Sequence, residues 1–141
     1  MAHPTDRLID WAVKALELGF DCIAESDHAP FALISQRGTE HLIEFKEASG
    51  IIDEELVNVG KRAVRASFAD ADIYAVVWDG CLTADDKKHD AIFAEAGERG
   101  SREAFVFAQK YRPTKGGLKH VDKPMLVTTT KHLLKGKSSK K

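Results

Sequence analysis

The second half of the chain limits the possible folds more than any other feature. From residue 72 onward it reads as β-structure interrupted only by short turn signals. "DIYAVVWDGCLT" is a strand of β-branched and aromatic residues. Asp79-Gly80 is a strong local turn signal, yet Cys81-Leu82-Thr83 still reads as strand. The turn therefore lies either at 79–80 or at 84–88, and a bulge at Gly80 would reconcile the two. "HDAIFAEAG" is the next strand, "ERGS" a turn and "EAFVFAQKYR" a further strand, ended by Pro113. "PTKGGLKHVDK" reads as a loop, "PMLVTTTKHLL" as a last strand and "KGKSSKK" as a tail. Strands joined by short turns make an antiparallel meander.

The first half supplies what covers such a sheet. "TDRLIDWAVKALEL" (5–18) has helical spacing, with Leu8, Ala12, Ala15 and Leu16 on one face. Thr5 or Asp6 caps it and Gly19 ends it. "FALISQRGTEHLIEFK" (31–46) holds two β-rich runs around Arg37-Gly38, a hairpin turn signal. With the turn centred near Gly38, Phe31 opposes Phe45 and Leu33 opposes Ile43, making an apolar face. Ala32, Ile34, Leu42, Glu44 and Lys46 then form the wet face. "DEELVNVGKRAVRASF" (53–68) is a second helix with Leu56, Gly60, Ala63, Val64 and Ser67 as its inward stripe.

The element order α-β-β-α-β-β-β, with a further β at the end, gives an α+β fold. It predicts a single antiparallel sheet of five or six strands with two helices on one face. Residues 1–130 make one domain and 131–141 a basic, flexible tail; a chain of 141 residues fits a single core. In element order this resembles the profilin-like and roadblock-type folds, a resemblance that implies scaffolding, dimerisation or regulation.

Charge is unevenly spread. Residues 1–109 carry 11 Lys/Arg against 21 Asp/Glu, whereas residues 110–141 carry 10 Lys/Arg against Asp122 alone. A basic C-terminal third can meet an acidic partner or complement the acidic body. Lys110, Arg112, Lys115 and Lys119 lie where a strand runs into a glycine-containing loop, and are the candidate anion or partner contacts.

One catalytic pattern is present in part. Glu44 and Lys46 form E-x-K at the end of an apolar run, and Asp27 precedes them. This resembles the restriction-endonuclease-like nucleases, and the resemblance implies Mg²⁺ held by Asp27 and Glu44 with Lys46 assisting. The sequence departs from that pattern, because Pro30 follows Asp27 where the family has Pro before Asp. In the expected register Asp27 also falls roughly 17 Å along the strand from Glu44. No catalytic residue is therefore favoured.

Cys22, His28, Cys81 and His89 lack zinc spacing, and no phosphate-binding glycine loop is present, so no cofactor is expected. Two cysteines, no secretory signal and no apolar run of membrane-spanning length lead to the expectation of a soluble cytoplasmic protein. The expected role is a protein-interaction or regulatory module, with a protein partner or a second copy. The alternatives are a Mg²⁺-dependent nuclease of the restriction-endonuclease-like type, or nucleic-acid or phosphate binding through the basic third.

Overall fold

The structure, a computed structural model, describes residues 3–24, 31–44, 53–68, 70–84, 86–101, 103–115 and 117–131. Helix α1 spans Asp6–Ala24 and α2 spans Asp53–Ser67. The strands are β1 (Phe31–Gln36), β2 (Thr39–Glu44), β3 (Ile73–Ala84), β4 (Lys87–Glu98), β5 (Glu103–Thr114) and β6 (Gly117–Lys131). They form one open six-stranded sheet, order β2-β1-β3-β4-β5-β6, with every neighbouring pair antiparallel. The fold is α+β, as the element order requires. Among the described residues no helix is long and apolar enough to cross a membrane.

Thr5 starts α1. Its Oγ1 accepts from the Leu8 N–H at 3.1 Å, and its hydroxyl donates to Glu98 Oε1 at 2.7 Å, so the cap also ties the helix to the end of β4. Gly19 does not end the helix, which runs on to Ala24. Instead it lets α1 approach the sheet: a Cβ there would sit 2.8 Å from Val77 Cγ1 and 2.9 Å from Ile92 Cγ2.

The β1–β2 hairpin turns at Arg37-Gly38. Both residues have positive φ, 53° and 82°, the signature of a two-residue type I′ loop. Its closing pair is Gln36 and Thr39, so Phe31 opposes Glu44, Ala32 opposes Ile43 and Leu33 opposes Leu42. This is one residue away from the expected pairing. A one-residue slip exchanges the faces of a strand. Leu42 and Glu44 thus share a face with Phe31 and Leu33, while Ile43 joins Ala32 and Ile34.

The two helices lie on opposite faces, which corrects the expectation that they share one. Leu8, Ala12, Ala15 and Leu16 of α1 pack on Phe31, Leu33, Ile73, Ala75, Val77, Ile92, Ala94, Ala96, Phe105 and Phe107. Val64 of α2 packs with Ala32, Ile34, Tyr74, Val76 and Ala104. The cause is the position of β1. It lies between β2 and β3, and Phe31, Ala32, Leu33 and Ile34 are all buried, so both of its faces need cover.

The later of the two expected turn positions holds, and one further expectation changes. β3 pairs with β4 in one unbroken register from Ile73–Glu98 to Ala84–Lys87, so Asp79-Gly80 is neither turn nor bulge. The chain reverses between Ala84 and Lys87, with Asp86 at φ 62°. The expected loop at 113–123 is instead a hairpin, in which Pro113 pairs with Leu118 and Thr114 with Gly117. Proline is tolerated there because the β4–β5 ladder ends at Asp90–Tyr111. β6 is an edge strand with register shifts opposite Val106/Phe107 and Ala108/Lys110. Gln109 is buried beside the second shift, and its Nε2 lies 2.8, 3.3 and 3.0 Å from the carbonyl oxygens of Lys110, Val121 and Asp122.

Candidate functional site

Strand alternation sorts the charged residues at the end of the sheet formed by the β3–β4 and β5–β6 turns. Lys110, Arg112 and Lys119 share the α2 face, because Lys110 pairs with Ala91 and Arg112 with Lys119. Lys110 is mostly covered, 13% exposed, and its Nζ is 2.9 Å from Asp122 Oδ2, so its charge is compensated. Arg112 and Lys119 are exposed and have no ion-pair partner among the described residues. Lys115 is exposed at the tip of the turn, off the face.

The sheet adds two residues that the sequence reading did not include. Lys87 and His89 fall on the same face of β4 as Ala91 and Phe93. Only the register signals this, since they lie more than twenty residues from Arg112. Further inward on this face, Trp78 and Phe93 stack with ring centroids 5.6 Å apart and planes 9° apart. Lys61 of α2 reaches over Trp78 at 5.5 Å and makes an ion pair with Glu95, which is 2% exposed.

The α1 face at the same end has a different character. Asp79 and Asp90 flank Tyr111, whose hydroxyl donates to Asp79 Oδ1 at 2.7 Å. Burial, that hydrogen bond and the neighbouring carboxylates push the phenol well above its ordinary range. The neutral phenol is thus favoured more in the fold than in the unfolded chain. Tyr111 contributes stability that is fully present below its unfolded value of 10.0 and is lost as pH rises above it. Tyr111→Phe should therefore flatten the fall of the urea midpoint above about pH 10. An unchanged fall would mean that other groups cause it.

Among the described residues, exposed large apolar side chains are confined to the sheet edges. They are Leu42 on β2, at 50%, and Met125, Leu126 and Val127 on β6, at 40–46%. Three consecutive apolar residues in an expected strand were a visible sign, since only one face of an alternating strand needs to be apolar.

Of the nuclease set only Glu44 is among the described residues. Glu44 is exposed and opposite Phe31, while Asp27 and Lys46 lie outside the described residues. Cys81 is free and exposed. Compared with protein-family models, with curated proteins and with solved structures, the chain has no significant match to any of the three, and its likeness to profilin-like and roadblock-type folds rests on element order alone.

Proposed function

We propose that this chain is a protein-interaction module that associates with a second copy of itself through β6. One observation carries the reading: the exposed large apolar side chains lie on the edge strands, three of them together on β6. An edge strand offers unpaired backbone groups, and apolar side chains there mark a place where contact is made. Pro124 and the register shifts interrupt a long backbone ladder, so side-chain contact at Met125, Leu126 and Val127 would dominate.

Charge favours an antiparallel two-fold arrangement. Lys119 and Lys123 sit in the first half of β6. Pairing two copies about Leu126 sets Met125 against Val127 and Lys123 against Thr129, which sends the basic halves to opposite ends. Closed two-fold dimers are the commonest symmetric assemblies. The exposed thiol of Cys81 fits a reducing compartment such as the cytoplasm.

Light scattering of the full chain tests the reading. A dimer is expected at micromolar concentration. Leu126→Lys should weaken it by at least about tenfold while leaving the circular dichroism spectrum unchanged, as for a central interface residue. A protein that stays monomeric over the accessible concentration range would rule the reading out.

A further inference from the structure

We infer that the α2 face of the sheet, at the end bearing the β3–β4 and β5–β6 turns, binds single-stranded nucleic acid. This goes beyond self-association and uses residues other than Met125, Leu126 and Val127. The register places Lys87 and His89 of β4, Arg112 of β5 and Lys119 of β6 on one face of three neighbouring strands. Adjacent strands are about 4.8 Å apart, so these side chains span roughly 10 Å. Lys87, Arg112 and Lys119 are exposed and have no ion-pair partner among the described residues. Of the described acids at this end, Asp122 is engaged by Lys110, and Asp86 lies exposed in the β3–β4 turn beside Lys87.

Moving inward along the face, the basic group gives way to small residues and then to aromatic rings. Gly80 pairs with Ala91, which is fully buried, so these small residues separate the basic side chains from the rings. A Cβ on Gly80 would lie 3.1 Å from Phe93 Cε1, so the glycine makes room for that ring. Beyond these small residues stand the half-buried Trp78 and Phe93, with Lys61 over Trp78. Successive positions on one face of a strand are about 7 Å apart, so the basic and aromatic groups lie within reach of one short oligonucleotide. A basic surface leading to aromatic rings suits phosphates at one end and stacked bases at the other. An isolated phosphate would use only the first part, and an acidic peptide would make no use of stacking rings. The α1 face of the same strands mixes Lys88 with Asp79, Asp90 and the nearby Glu17, so it offers no comparable basic cluster.

The test is fluorescence anisotropy of a labelled oligothymidine of about twelve nucleotides with the full chain. Binding should weaken with salt, with a log–log slope of about −2 to −3 for three or four phosphate contacts. Arg112→Glu with Lys119→Glu, and separately Lys87→Glu, should each weaken binding by about tenfold or more in low salt. Lys88→Glu is the control, because Lys88 is exposed on the opposite face of β4. It should change binding by less than about twofold. Circular dichroism of each variant checks folding.

Three results would overturn the proposal. One is no binding in low salt. Another is equal loss from Lys88→Glu and Lys87→Glu, which would indicate undirected charge attraction. The third is binding that survives reversal of Lys87, Arg112 and Lys119, which would assign it elsewhere in the chain. Polyglutamate competing as well as unlabelled oligothymidine would also count against it, in favour of an acidic protein partner.

Discussion

Lys61→Met is expected to destabilise the fold by about 3–5 kcal/mol, because it leaves Glu95 buried without its cation. The asymmetry of burial decides which partner matters more. Glu95 is 2% exposed, whereas the Lys61 side chain is 25% exposed. Without Glu95, the lysine can turn its ammonium group toward water. Without Lys61, the carboxylate keeps only a weak contact from the Tyr74 hydroxyl at 3.5 Å. Glu95→Gln should therefore cost less, about 1–2 kcal/mol.

The pair also ties α2 to the sheet, since Lys61 belongs to the helix and Glu95 to β4. Replacing both by apolar residues, Lys61→Met with Glu95→Leu, should recover most of the loss. Urea unfolding of the single and double variants measures this. A loss below about 1 kcal/mol for Lys61→Met would mean that the pair does not hold α2 in place.

The second large effect is expected at Gly97. A Cβ there would overlap Tyr74 Cε1 and lie 2.8 Å from Cζ and 2.9 Å from the hydroxyl. Tyr74 is fully buried in the α2-face core, and its ring has no free space into which to move. Gly97→Ala should cost about 1–3 kcal/mol, or more if the ring drags Glu95 with it. The sign is informative, because relieving a strand of glycine normally stabilises it by about 0.5–1 kcal/mol. A thermal midpoint raised by Gly97→Ala would contradict the packing described. Gly19→Ala sets the same opposition in α1, with helix propensity favouring alanine and Val77 and Ile92 opposing it.

Much of this fold was legible in the sequence, and its main error had a single physical source. Both helices, the hairpin at Arg37-Gly38 and the β meander follow from periodicity and turn residues. The hairpin register does not, because centring a turn on Gly38 and placing Arg37-Gly38 as a two-residue loop differ by one position. That one position moved Ile43 to the other face and made Ala32 and Ile34 look solvent-facing, when they are core under α2. Placing both helices on one face followed from the same slip. The Gly19 reading failed because a glycine late in a helix signals either a cap or a close contact, and only the neighbouring strand distinguishes them. The segment 113–123 read as a loop because Pro113 and the glycines masked a hairpin beyond the β4–β5 ladder.

The candidate site was legible only where residues are close in sequence. Arg112 and Lys119 come together through a tight hairpin, so their association could be anticipated. Lys87 and His89 join them through the β4–β5 register, which pairs Asp90 with Tyr111 and leaves no mark in composition or local spacing. Lys110, one of the expected contacts, is compensated by Asp122, and Lys115 lies exposed in the turn beyond the strands.

Self-association through β6 is tested most directly by amide hydrogen exchange of the full chain over a range of protein concentrations. Packing of two β6 strands through Met125, Leu126 and Val127 shields nearby backbone N–H groups that are open to water in the monomer. Protection across residues 125–129 should rise with concentration, while that of β2, at the other edge of the sheet, stays constant. Exchange in β6 that is independent of concentration, or protection that rises in β2 instead, would contradict the account.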